Sequence, residues 1–120
     1  MDPLSAEEIR RVVQAALAED LGPGDATTLA MIPESVTANA AMIAREPLTV
    51  AGLEFAEAAF RELAPEVRIE RAARDGQRAE ARAVLVRVEG PARALLTAER
   101  VALNFVQRLS GIATLTASFV

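Results

Sequence analysis

Apolar positions recur at helical spacing in three stretches of this chain and alternate in three others. In "SAEEIRRVVQAALAEDLG", Ile9, Val12, Val13, Ala16 and Leu17 repeat every three to four residues. Ser5 supplies an N-cap, Glu8 completes a capping box, and Gly22 ends the element. "GLEFAEAAFRELAP" sets Leu53, Ala56, Ala59, Phe60 and Leu63 on one face, with Pro65 beyond its end. "TAERVALNFVQRLSGIAT", Thr97 to Thr114, places Ala98, Val101, Ala102, Phe105, Val106 and Leu109 on a third apolar face and then runs into a break.

The alternating stretches predict strands. "SVTANAAMIARE" alternates weakly, which predicts a strand partly covered on both faces. Val67 and Ile69 alternate with Arg68 and Glu70. "RDGQ" supplies a hairpin-type turn, and Val84, Val86 and Val88 alternate with Leu85 and Arg87. "EGPA" reads as a second turn and "ARALL" as a short strand or extended lead-in, so Gly76 and Gly90 both read as turn residues. The order of helix, strand, helix, strands and helix predicts an α+β fold with a small, mostly antiparallel sheet packed with helices. The end, "SGIATLTASFV", stops in an apolar run without a cap, and the chain reads as cut rather than complete.

Composition narrows the chemistry. The 120 residues are 52% hydrophobic and 25% charged, which describes a globular chain with room for a core. Aromatics make up 3% and are all Phe, so Ala, Val, Leu and Ile build the interior. Small side chains give less apolar area per residue, part of which a partner surface could supply. The chain has no cysteine, hence no disulfides and no thiolate chemistry. It has no histidine, which removes imidazole bases and the usual zinc ligands. Every one of its 13 basic residues is Arg, so lysine-borne carrier or Schiff-base chemistry is excluded, including a swinging-arm domain suggested by "DGQ…EG". A net charge of −4 argues against broad binding of nucleic acid or anionic membranes. The acidic start "MDPLSAEEIRR" carries no leader-like apolar run, and the expected location is cytoplasmic.

The third helix carries the most informative polar side. Arg100, Asn104 and Gln107 line up at i, i+4 and i+7, and Gly111 continues the row. An ordinary solvated face would carry several charges of both signs, whereas one cation followed by two amides suits a dry, hydrogen-bonding surface; by pattern alone, a plain solvent-facing stripe fits equally well. Glu99 lies ~100° around the helix and need not neutralise Arg100. A guanidinium backed by two amides matches a carboxylate or phosphate, which it can grip bidentately.

Other candidates fall to plainer readings. Glu19, Asp20 and Asp25 form an acidic cluster without EF-hand spacing, better read as a helix end and an Asx-type turn with Thr27 than as a cation site. Gly22 to Gly24 lacks the strand and helix that a phosphate-binding loop needs. The Arg-rich run from Arg68 to Arg93 is interleaved with carboxylates and reads as a solvated strand face. No metal ligands are expected within the chain.

At "LLTAERVALNFVQRLSGIAT" the chain resembles the quinolinate phosphoribosyltransferase family, whose form is "L-x-x-ER-x-ALN-x-x-x-x-SGIAT". "LAEDLGPGDATT" resembles its Gly-Asp-Thr-Thr loop, and "AREPLTVAGLEFAEAAF" the segment that ends in Ala-Gly before its second helix. "REPLTVAG" departs from the family by lacking a Gly that many relatives carry there. The resemblance implies a pentosyltransferase of NAD biosynthesis that converts quinolinate and phosphoribosyl pyrophosphate, with Mg2+, to nicotinate mononucleotide, pyrophosphate and CO2. It implies that residues 1–110 are the N-terminal α+β sandwich domain, including an interface helix, and that 111–120 begin a truncated α/β barrel domain. It further implies a homodimer in which Arg100 reaches a quinolinate carboxylate in the partner subunit's site, with Asn104 and Gln107 in support. Magnesium ligands and the reacting groups would lie in the barrel, so this chain alone is expected to be inactive. Two alternatives stand beside this one: a molybdenum-related paralogue of the same fold, and a non-catalytic dimerisation module.

Overall fold

The computed structural model describes residues 5–20 and 35–117. The "GPGDATT" loop, Asp25 and the predicted helix stop at Gly22 lie outside the described residues.

Helix α1 (Ala6–Asp20) begins at the predicted capping box. The Glu8 amide donates to Ser5 Oγ at 3.1 Å, while the Ser5 amide and hydroxyl donate back to Glu8 Oε1 at 3.4 and 3.0 Å. These contacts satisfy donors that an opening helical turn leaves without partners. Ile9, Val13 and Leu17 are buried, and Val12 stays exposed on the flank. Strands β1 (Thr37–Ile43) and β2 (Leu48–Thr49) come next, and then α2 (Leu53–Leu63) buries Leu53, Ala56, Ala59 and Phe60. Strands β3 (Arg68–Arg71), β4 (Arg78–Ala79) and β5 (Val84–Pro91) lead into the long helix α3 (Ala92–Ala117).

The described strands form two antiparallel sheets, one of order β1-β5-β3 and a second of β2 with β4. The larger sheet turns Met42, Val86 and Val88 into the core with α2 and α3. Its other face carries Arg68, Glu70, Arg87 and Glu89, all exposed, as expected of a solvated Arg/Glu face. Cross-strand register sets Arg68 opposite Glu89 and Glu70 opposite Arg87, so unlike charges face each other. Asn39, Ala41 and Ile43 of β1 are exposed on this side, so β1 is not covered on both faces as its weak alternation suggested. A bulge between Met42 and Ile43 skips Leu85 in the register. It lets consecutive residues Leu85 and Val86 both reach the core, at 1% exposure each, against strict alternation.

Four further expectations differ from the structure, each for a tertiary reason. "RDGQ" does make a turn, closed by the Gln77 amide on the Arg74 carbonyl at 3.1 Å, with Gly76 at φ 87°. The turn joins strands of different sheets, β3 and β4, because the segment around β2 captures the chain as it leaves the turn. There the Gly76 amide donates to the Val50 carbonyl at 2.7 Å. "EGPA" is no turn. Strand β5 runs through Pro91, and Gly90 is there for close approach, since a Cβ would lie 3.1 Å from Val67 Cγ2. "ARALL" is helical and opens α3, tied to the β1 lead-in by the Ala92 amide on the Val36 carbonyl at 2.9 Å. Finally, α3 does not break at Ser110-Gly111 but continues to Ala117. Gly111 costs a helix interior ~1 kcal/mol relative to Ala, and hydrogen bonds that Ser110 and Thr114 accept from the Ala51 and Thr49 amides, on either side of it, hold the turn in place.

Candidate functional site

Helix α3 is oriented by its buried side. Leu95, Ala98, Val101, Ala102 and Val106 enter the core, with Ala98 and Ala102 fully buried. Ala56 and Ala59 of α2 are also fully buried, so small side chains bring the helices close. Phe105 and Leu109, expected on the apolar face, are only half-buried, whereas Ser110 is buried at 1% exposure.

This orientation leaves Arg100, Asn104, Gln107 and Gly111 exposed on one line, as the spacing predicts. Arg100, Asn104 and Gln107 share a groove of ≈ 640 Å3 between α3 and the C-terminal part of α1. Ala16 and Glu19 form the α1 side of this groove, and Leu103 and Phe105 add apolar surface. Glu99 lies on the opposite flank of α3, at the rim of an apolar cavity of ≈ 220 Å3 between the helix and β1. The two neighbours of the "ER" pair therefore open onto different surfaces, and Glu99 does not neutralise the groove.

Arg108 lines the same groove, a residue that the sequence reading passed over. Its signal was legible, because Arg100, Asn104 and Arg108 succeed one another at i, i+4 and i+8. Among the described residues the groove thus combines two guanidinium groups, two amides and the carboxylate of Glu19. Such a surface is suited to a ligand with more than one anionic group. Of the acidic cluster weighed as a cation site, Glu19 faces this groove and Asp25 lies outside the described residues.

Comparison with known proteins bears on the same helix. The family model for the quinolinate phosphoribosyl transferase N-terminal domain matches residues 25–110. The chain is 43% identical over 110 residues to the chloroplastic nicotinate-nucleotide pyrophosphorylase (carboxylating) of Oryza sativa subsp. japonica, covering 91% of this chain and 30% of the relative. It is 42% identical over 110 residues to the quinolinate phosphoribosyltransferase (decarboxylating) 1b of Nicotiana tabacum, covering 91% of this chain and 31% of the relative. Among solved structures, NadC from Streptococcus pyogenes superposes with a TM-score of 0.91 at 35% identity, over 99% of this chain and 42% of that one. The nicotinate-nucleotide pyrophosphorylase from Francisella tularensis superposes with a TM-score of 0.85 at 34% identity, over 93% of this chain and 40% of that one. The chain therefore spans less than half the length of each of these four relatives.

Proposed function

Because this chain belongs to the quinolinate phosphoribosyltransferase family, through its N-terminal domain, we propose that it is the part of such an enzyme that presents Arg100 to the substrate pocket of a partner subunit. The reaction joins quinolinate to the ribose of phosphoribosyl pyrophosphate and releases pyrophosphate and CO2, giving nicotinate mononucleotide for NAD biosynthesis. Quinolinate carries two carboxylates, and their recognition calls for fixed cations that water does not screen. The observation that carries the proposal is the exposed line of Arg100, Asn104 and Gln107 along one groove. Arg100 grips a carboxylate, while Asn104 and Gln107 hydrogen-bond beside it. The partner is a second copy of the same polypeptide, in a homodimer or a higher homo-oligomer.

Magnesium belongs to the reaction, where it would neutralise the departing pyrophosphate. Among the described residues no three Asp, Glu, His or Cys side chains come together to hold a metal ion. No described residue is assigned to hold Mg2+, and no step is routed through it. On this proposal its ligands lie outside this chain. A cytoplasmic location is part of the same proposal, supported by the absence of cysteine. Several of the plant relatives carry chloroplastic or mitochondrial in their names. No helix among the described residues is long and apolar enough to cross a membrane.

The test is turnover of quinolinate and phosphoribosyl pyrophosphate by the native polypeptide that carries this domain, with CO2 release as the readout. No turnover would sink the enzyme reading. Turnover that survives Arg100→Ala unchanged would instead favour a domain that only dimerises.

A further inference from the structure

Two of the family-like stretches, "SGIAT" and "REPLTVAG", meet in space. Strand β2 and the residues after it have one edge paired with β4 and the turn before it, where the Val50 amide donates to the Gln77 carbonyl at 2.8 Å. The other edge faces α3. There the Thr49 amide donates to Thr114 Oγ1 at 2.8 Å, and the Ala51 amide donates to Ser110 Oγ at 2.9 Å. Ser110 Oγ in turn donates to the Ala51 carbonyl at 3.1 Å, and Thr114 Oγ1 to the Ser110 carbonyl at 2.7 Å. Two helical hydroxyls, one turn apart, thus stand in for a missing neighbouring strand. Among the described residues no buried side-chain polar atom lacks a partner, and both hydroxyls of this part-buried clamp donate and accept.

Leu95, Val101 and Val106 bury α3 in the core, but part of its contact with α2 is built on alanine, where a directional clamp adds what shape does not. Ala98 and Ala102 of α3, like Ala56 and Ala59 of α2, present no large ridges that would forbid rotation about the helix axis. Hydrogen bonds are directional, weakening steeply away from linear geometry, so two of them on one face fix that rotation. The backbone also comes close here: a Cβ at Gly52 would lie 3.0 Å from Leu109 Cδ1 and 3.1 Å from the Phe105 carbonyl oxygen. Serine and threonine are middling helix formers, and a buried Ser110 with a half-buried Thr114 one turn on calls for a reason beyond propensity.

We propose that Ser110 and Thr114 are positioning residues that set the rotation of α3, and thereby the direction in which Arg100, Asn104 and Gln107 point. The link to quinolinate rests on the proposed role of Arg100, and the link to helix rotation does not. A small rotation moves a side chain on a helix surface far enough to spoil a bidentate contact, and it leaves groups elsewhere in the enzyme untouched.

The experiment uses the native polypeptide carrying this domain, with Ser110→Ala, Thr114→Val and the hydroxyl-preserving Thr114→Ser. This chain has no cysteine of its own, so once any cysteine outside it is replaced, spin labels at Arg108→Cys and Glu70→Cys report the distance between α3 and β3. The expected result is a shifted or broadened distance distribution in Ser110→Ala and Thr114→Val, restored in Thr114→Ser. Quinolinate KM then rises about threefold to tenfold in the first two variants, with the KM for phosphoribosyl pyrophosphate unchanged. An unchanged distance distribution would overturn the proposal, as would an equal rise in both KM values. Arg100→Ala serves as the separate control. If it leaves quinolinate KM unaltered, the proposed role of Arg100 falls, while the distance measurement still decides the clamp.

Discussion

The ring of Phe55 on α2 lies against that of Phe105 on α3, with centroids 4.9 Å apart and planes 25° from parallel. The stack joins the two helices beside Asn104, where the polar line leaves the core. Both rings are half-buried, so either truncation to Ala costs about 1–3 kcal/mol, below the range for a fully buried Phe. A double-mutant cycle in urea should return a coupling of about 0.5–1.5 kcal/mol. Strict additivity would mean that the rings merely share a surface.

Gly52 and Gly76 have the same backbone φ of 87° but different surroundings. Gly76→Ala meets nothing within 4 Å and costs only the left-handed conformation, about 1–2 kcal/mol. Gly52→Ala adds a clash with a backbone carbonyl of α3 and should cost about 2–4 kcal/mol. Thermal unfolding of the two variants side by side checks the order. Equal losses would show that α3 yields freely at this contact.

Glu62 ties α2 to α1. It accepts from Gln14 Nε2 at 2.7 Å and from Arg10 Nε at 3.1 Å. The Gln14 hydrogen bond, with help from Arg10, holds its carboxyl below the ordinary 4.5 against the opposing effect of burial. A depressed folded value means stabilisation that is complete above pH 4.5 and is lost as pH falls through the lowered value. The effect is small because Arg10 is 65% exposed. In melting curves between about pH 3 and 6, Glu62→Gln should lose a little stability above pH 4.5 and converge on the parent protein at the acid end, which flattens the acid limb. A loss that persists undiminished at the acid end would point to packing instead.

Arg100 should be sensitive to shape as well as charge. Arg100→Ala is expected to lower kcat/KM for quinolinate roughly tenfold to a hundredfold, the worth of one charge-assisted contact. Arg100→Lys should fall between, since an ammonium keeps the charge but lacks the planar fork. Full activity in the Lys variant would argue that only long-range attraction matters.

Local chemistry in the sequence determined the helices, the capping box at Ser5 and Glu8, the main strands and the exposed line of Arg100, Asn104 and Gln107. Each depends on residues within a few positions of one another, where spacing and side-chain type suffice. What the tertiary structure decided depends on distant partners. Strands β2 and β4 are two residues long, too short for any period, and exist because their segments meet. Gly90 looked like a turn until Val67 lay beside it. The helix runs on past Gly111 because Ser110 and Thr114 reach backbone 59 and 65 residues earlier in the chain. A hydroxyl carries no mark in sequence of which remote amide it will meet. The folded chain supplies that amide and fixes the side of α3 that faces outward.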